Sequence, residues 1–214
     1  MKTLIYKDFK LVVKPICYTL FLFVLIFFVP PNFPYAFIYF YPMTFLNAIL
    51  TTMAEGNDFM FSSLLPISKK QYIASKFLVL IIIEVAFLLL CIPFGLISNL
   101  VIYPESNNTD TITNIVSLTG IGVICFTLFD ATLLPIYFRN APKWSLAFII
   151  ALATGLIGGV GIFGIVPALI PTLEKAIDSF QYSWIYLLIG IAIAPAILYP
   201  SYLLSVNILK KRDI

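Results

Sequence analysis

The chain has 214 residues, 61% of them hydrophobic and 11% charged, with a mean hydropathy of +1.04. A soluble domain carries about 25% charged residues, so this excess of apolar surface needs lipid as its solvent. The net charge of +3 does not point to nucleic acid, because the cations flank apolar runs and meet anionic headgroups there, and the absence of histidine excludes imidazole metal sites and His-based catalysis.

Residues 1–15 begin the chain as an amphipathic segment. Thr3, Lys7, Lys10 and Lys14 recur at helical spacing on one face, and Ile5, Phe9, Val12 and Ile16 on the opposite one. Such a helix lies in the membrane interface with its lysines toward headgroups. The alternative is a plain basic flank of the first span. Apolar runs follow at 16–29, 35–53, 77–100, 115–136, 144–166 and 182–208. They predict an all-α polytopic membrane protein of six spans, a transmembrane helix needing about 20 residues. Pro30, Pro31 and Pro34 suit a tight outer turn, and residues 103–114 hold Glu105 and Asp110 but no basic residue, as an outer loop should. Residues 137–143 read as a short inner turn. Pro195 and Pro200 are kink points in the sixth span. The stretch 144–208 exceeds two spans by about 25 residues, and the surplus, 167–181, predicts a re-entrant or surface-lying outer element.

Under this division, twelve of the thirteen Lys and Arg residues fall on one side of the membrane, Lys175 being the exception. Cationic loops stay cytoplasmic during insertion, so both termini are expected inside. No cleavable signal peptide is expected, because Val29-Pro30-Pro31 lacks the small-residue pattern of a cleavage site. Cys17, Cys91 and Cys125 all lie in apolar runs, where they act as small hydrophobes, and no disulfide is expected. No long linker separates the spans, so residues 1–214 read as one transmembrane domain.

Two features inside the spans invite a role. Ala151, Gly155 and Gly159 stand four residues apart in span five, a spacing that lets helix backbones approach closely. Packing within the bundle, a subunit interface and a hinge all fit. Glu84 lies eight residues after Lys76, and Asp130 nine before Arg139. At 1.5 Å per residue both sit roughly 10 Å inside the cytoplasmic edge. A charge at that depth must face protein or water, or be neutralised. The pair either lines an inner cavity that receives a cationic or amphipathic substrate, or holds helices together. Nothing supplies a metal ligand, nucleophile or activating base beside it, so no enzyme activity and no metal site are expected.

The inner segment 54–76 is the richest stretch. Asn57 or Asp58 can N-cap a short helix over 59–65, and Pro66 then stops it. Ser68 and Gln71 have capping-box spacing at the start of the next helix. The short helix carries Phe59, Met60, Phe61, Leu64 and Leu65, a large apolar load for a loop. It lies against the protein's own span ends and lipid, or fills the groove of a cytoplasmic protein.

The run Asn57-Asp-Phe-Met-Phe-Ser-Ser-Leu-Leu-Pro-Ile-Ser-Lys-Lys-Gln-Tyr-Ile-Ala-Ser-Lys76 resembles the cytoplasmic loop of small type-two ABC exporter permeases. In that family an acidic-aromatic stretch leads to a Leu-Pro-Val/Ile-Ser-Arg/Lys corner, with a Lys near the start of span three. Leu134-Pro-Ile-Tyr-Phe-Arg139 is similar to the family's Leu-Pro-aromatic-Lys/Arg end of span four, although Asn140-Ala-Pro stands where a Gly often follows. Size and an Ile/Phe/Lys/Asn-rich style look most like permeases of peptide exporters such as the staphylococcal phenol-soluble modulin transporter.

The resemblance implies a permease that pairs with a second permease, the same or homologous, in the bacterial plasma membrane. Two cytoplasmic ABC ATPase subunits would drive it, and the loop at Asp58, Phe59, Met60, Phe61, Leu64, Leu65 and Pro66, with Arg139, would couple to them. The chain has no Gly-x-x-x-x-Gly-Lys-Ser/Thr phosphate loop, so ATP and Mg belong to a separate subunit and no cofactor is expected on this chain. Partners are therefore ATPase subunits, a second permease and membrane lipid, without nucleic acid. The expected cargo is amphipathic or hydrophobic, a peptide above all. Two rival readings are a proton-coupled secondary transporter using Glu84 and Asp130, and a non-transport membrane assembly or immunity protein.

Overall fold

The computed structural model describes residues 2–11, 22, 24–25, 38–55, 58, 62, 66–98, 108–139, 144–165 and 180–211. Among these, regular structure is helical throughout and no strand occurs. The helices are α1 (Lys2–Leu11), α2 (Phe40–Glu55), α3 (Lys69–Ile97), α4 (Asn108–Arg139), α5 (Trp144–Gly155) and α6 (Phe180–Lys210). A π-helix, Leu156–Ile165, continues α5. The described parts of three helices are long and apolar enough to cross a membrane: Lys69–Ile97, Ile115–Arg139 and Tyr186–Lys210. Ser145–Gly159 is a shorter apolar helix. The first apolar run, apart from Leu22, Val24 and Leu25, and the surplus element, apart from Phe180 and Gln181, lie outside the described residues.

The N-terminus of α3 follows from two side chains. The Ser68 hydroxyl accepts from the Gln71 N–H at 3.2 Å, and the Gln71 side-chain oxygen accepts from the Ser68 N–H at 3.1 Å. This capping box satisfies two backbone donors that have no partner within the helix. Along α3 the buried positions Ile73, Lys76, Phe77, Leu80, Ile83, Glu84, Phe87 and Cys91 recur every three or four residues. The opposite stripe, Leu78, Ile82, Val85 and Leu89, is exposed. In water that face would be a liability; in a bilayer it meets acyl chains, and packing inside the bundle is what distinguishes the two faces.

Helix α4 is the hub. It packs against α3, α5, the π-helix and α6, and its contact with α6 is the most extensive. The Tyr39 hydroxyl donates to the Leu118 carbonyl of α4. The Tyr39 and Phe126 rings meet edge-on at 6.0 Å, and Phe87 meets Phe126 at 6.4 Å. Small residues set the closest crossings. A Cβ at Gly120 would fall 2.6 Å from the Leu187 nitrogen, so α4 and α6 cross there with backbone against backbone. A Cβ at Gly159 would fall 2.9 Å from Cys125 Cα, which closes the π-helix onto α4.

Two expectations need correction. Helix α4 begins at Asn108, inside the stretch read as an outer loop, and runs to Arg139, through the start of the expected inner turn. No glycine or proline interrupts residues 108–134 apart from Gly120 and Gly122, so polar residues extend the helix past its apolar window. The second half of span five is wound as a π-helix, not as a regular α-helix. Within this stretch a Cβ at Gly159 would meet Cys125 and one at Gly158 would meet Leu128, both of α4.

Candidate functional site

Four charged side chains form one cluster where α1, α3 and the loop after α2 meet. Lys7 Nζ donates to Asp58 Oδ1 at 2.7 Å and to Ser62 Oγ at 3.1 Å, and lies 3.7 Å from Asp8 Oδ1. Lys76 Nζ lies 2.7 Å from Asp8 Oδ1 and 2.7 Å from Asp58 Oδ2. The Tyr72 hydroxyl donates to Asp58 Oδ2 at 3.2 Å, and the Ser75 hydroxyl to Asp8 Oδ2 at 3.4 Å. The Lys76 ammonium also sits 4.9 Å from the centre of the Tyr72 ring. Two cations and two carboxylates sum to zero, and each charge faces two of opposite sign. The side chains of Lys76 and Asp8 are 2% and 0% exposed. Such burial is tolerable only because every member is paired and hydrogen-bonded. Burial alone would push the Asp58 carboxyl up, but Lys76 and Lys7 outweigh it and hold the group below the usual aspartate value.

Asp58 is therefore an ion-pair partner of Lys7 and Lys76, and Lys7 does not point to headgroups. Among the α1 residues whose burial is described, Thr3, Tyr6 and Lys10 are exposed, while Leu4 and Asp8 are buried against the rest of the protein. The lysine stripe is turned so that Lys7 faces inward while Lys10 stays exposed. The sequence marks Lys7 only as a member of the basic stripe and Lys76 only as the lysine near the start of span three, and it does not mark Asp8. A signal was present: Asp8 is the only acidic residue in a stretch with four lysines. Of the loop residues, Asp58 and Ser62 join the cluster, and Pro66 is exposed. Phe59, Met60, Phe61, Leu64 and Leu65 lie outside the described residues. Arg139 is exposed in the last turn of α4, next to Phe138, whose ring meets Tyr72 at 6.2 Å.

The second polar feature lies deeper in the bundle, eight residues beyond Lys76 on α3 and nine before Arg139 on α4. Three consecutive α4 residues reach three different helices. Asp130 faces Glu84 of α3, with the two carboxyls close enough to interact directly. The Ala131 carbonyl accepts from the Ser201 hydroxyl of α6 at 2.8 Å. The Thr132 hydroxyl meets the Thr154 hydroxyl of α5 at 2.8 Å. The result is one polar layer joining four helices around a single turn of α4. Asp130 is fully buried and Glu84 6% exposed. Glu84 Oε1 and both Asp130 oxygens have no hydrogen-bond partner among the described residues. Thr132, Thr154 and Ser201 were missed in the sequence, where an isolated hydroxyl residue in an apolar run shows no periodic pattern.

Ala151, Gly155 and Gly159 pack within the bundle. Ala151 is buried, and a Cβ at Gly155 would meet Met43 of α2 and Cys125 and Phe129 of α4 at 3.0–3.1 Å. Cys91 and Cys125 are buried and free. An apolar cavity of about 240 Å³ opens between α3, α4 and α6, lined by Ile92, Leu96, Ile115, Thr119, Trp184 and Leu187 among others. No group of three potential metal ligands occurs among the described residues.

No curated protein and no solved structure matches the chain. A family model described as ABC-2 family transporter protein matches residues 3–210, from the start of α1 to the end of α6. A match over nearly the whole chain, on an all-helical protein with apolar helices long enough to span a bilayer, shows that this chain belongs to the ABC-2 family of transporter membrane proteins.

Proposed function

We propose that the chain is the permease half of an ATP-driven exporter of amphipathic or hydrophobic substrates, peptides above all, in the bacterial plasma membrane. Two permeases, identical or homologous, form the path, and separate cytoplasmic ATPase subunits drive it. ATP and Mg act on those subunits. Both termini and the loop 54–76 face the cytoplasm, as the distribution of Lys and Arg argues. The observation that carries the reading is the family match over residues 3–210, together with the anchoring of Asp58 at the foot of α3. A loop held by buried ion pairs at the end of a span is suited to pass a push into the membrane. Phe59 and Phe61, one and three residues after Asp58 in the chain, are the anchors for an ATPase groove. The apolar cavity at Trp184 and Leu187 and the sparse polar layer at Asp130 suit cargo that is mostly apolar.

The test is co-purification with an ATPase and hydrolysis by the reconstituted complex. Truncating Phe59 and Phe61 together to Ala should reduce association or permease-dependent hydrolysis while the permease still inserts. Full association and full hydrolysis in that double variant would remove the docking role.

The second reading is a proton-coupled transporter. It is favoured by one observation, the unpartnered oxygens of Asp130 beside Glu84 within the spans. A chain that transports without any ATPase, under a proton gradient alone, would establish it.

A further inference from the structure

We propose that Ser201 of α6 is a positioning residue that stands in for a missing backbone donor in α4. The turn it holds, at Ala131 and Pro135, is a hinge about which the ends of α4 and α6 that carry Arg139 and Lys210 move together. The part of this hinge in transport rests on the reading of the chain as a driven permease; its chemistry does not. In an α-helix the N–H of residue 135 would donate to the carbonyl of residue 131. Residue 135 is a proline inside α4 and has no N–H. The Ala131 carbonyl therefore lacks its donor within the helix, and hydrocarbon holds no water to replace it. The Ser201 hydroxyl donates to that carbonyl at 2.8 Å, from 70 residues away in the chain. Ser201 is itself buried.

The break in α4 is matched in α6. Pro195 and Pro200 lie inside α6, and in the same way they remove the helical donors for the carbonyls of Ile191 and Ala196. Ser201 follows Pro200 directly, so the two helices meet where both ladders are broken. Ala131 lies eight residues before Arg139, and Ser201 nine before Lys210, which sets the contact at the depth of Glu84 and Asp130. Beyond it, toward Gly120, α4 and α6 are locked backbone to backbone. A Cβ at Gly120 would fall 2.6 Å from the Leu187 nitrogen, and one at Gly190 3.1 Å from the Gly120 oxygen. In the other direction both helix ends are tied to the foot of α3. The Phe138 ring meets Tyr72 at 6.2 Å, Lys69 Nζ donates to the Leu209 carbonyl at 3.2 Å, and the Tyr202 hydroxyl donates to the Lys70 carbonyl at 3.4 Å. Bending concentrates where a ladder bond is missing. A side-chain hydroxyl follows the carbonyl as the helix bends, so the hinge flexes without turning an unpaired acceptor to lipid. A push on the foot of α3 thus swings the tied ends of α4 and α6 while the locked part stays in place.

The experiment is a double-mutant cycle on the full-length permease. Pro135→Ala supplies the missing N–H, which makes the Ser201 hydroxyl redundant. Ser201→Ala should lower the melting temperature of the detergent-solubilised chain, and should lower it by less than half as much in the Pro135→Ala background. An equal drop in both backgrounds overturns the pairing of Ser201 with the gap at Pro135. Pro135→Leu supplies the same N–H and carries the cycle where Pro135→Ala does not fold. The second measurement is ATP hydrolysis in proteoliposomes, with the ATPase that co-purifies with the wild-type chain. Pro135→Ala should hold or raise the melting temperature while lowering permease-dependent kcat roughly two- to thirtyfold. KM for ATP and association with the ATPase should be unchanged. A permease that is more stable but slower has a stiffened hinge, a result that a merely structural proline would not give. Wild-type kcat in the folded Pro135→Ala chain overturns the hinge and leaves Ser201 as a static contact. A wild-type chain that binds no ATPase removes the driven-permease reading, and the transport role of the hinge with it, while the thermal cycle still decides the Ser201 contact.

Discussion

Lys76 Nζ and Asp8 Oδ1 lie 2.7 Å apart, closed off from solvent, and join residues 68 positions apart in the chain. The pair docks α1 on the foot of α3. Removing one partner of a buried pair typically costs about 3–5 kcal/mol, because the other charge is left uncompensated. Asp8→Ala should fall near the lower end, about 3 kcal/mol, since Asp58 still faces the Lys76 ammonium. Lys76→Met should cost at least as much, because it strands Asp8 and weakens Asp58 together. Thermal unfolding of the detergent-solubilised permease, wild type against both variants, measures the order. Equal stability of all three would contradict the buried cluster.

The pH dependence of the loop anchor has a definite sign. The Asp58 carboxyl is held below its usual value by Lys76 and Lys7 against the opposing effect of burial. A group depressed in the folded state stabilises above its unfolded pKa, about 3.9, and loses that contribution as pH falls through its folded value. The stability gap between wild type and Asp58→Asn should therefore be constant from pH 8 down to about 5 and should close only below about 4. Melting temperatures across that range decide it. A gap that closes between pH 7 and 6 would show that Asp58 is not ion-paired.

Glu84→Gln should be tolerated. The substitution keeps the shape and adds an amide donor beside the two unpartnered Asp130 oxygens. Satisfying a buried acceptor recovers part of a cost of about 1–3 kcal/mol, so the melting temperature should hold or rise. Glu84→Ala empties the space and leaves Asp130 alone, and should lower it. Transport by the Gln variant at the wild-type rate, with unfolding of the Ala variant, would assign the pair a structural role. A folded Gln variant without transport would assign it to the path.

Gly159→Ala should destabilise by about 1–3 kcal/mol, the usual effect of overfilling a packed site. The added methyl would meet Cys125 Cα at 2.9 Å, so the π-helix must shift off α4. Cys125→Ala in the same chain removes the nearest side-chain atom but not the backbone, and should recover only part of the loss. Gly161→Ala is the control, since its nearest neighbour would be Ile157 Cγ2 at 3.8 Å. Helix propensity favours Ala over Gly, so a loss in Gly161→Ala equal to that in Gly159→Ala would show that the close crossing at Cys125 is not its cause.

Much of this protein is legible residue by residue. The composition determines that lipid is the solvent, since 61% hydrophobic residues cannot be covered by 11% charged ones. The start of α3 is local chemistry, a Ser68 and Gln71 box needing nothing from elsewhere. The equal depth of Glu84 and Asp130 follows from counting residues along two helices. Only the tertiary structure decides which faces meet. Helical spacing says that Lys7 and Lys10 share a stripe; it does not say that α1 is rolled so that Lys7 meets Asp58 while Lys10 stays exposed. That roll depends on Asp8 finding Lys76, a contact between elements far apart in sequence. The polar layer is of the same kind. Ser201 and Thr154 read as isolated hydroxyls until α4 lays Ala131 and Thr132 beside them. The π winding after Gly155 and the close approach of Gly159 to Cys125 are likewise visible only in the folded chain. Periodicity is a property of one helix, whereas pairing is a property of two, and in a bilayer no difference in apolarity between lipid and core tells one helix which neighbour to choose.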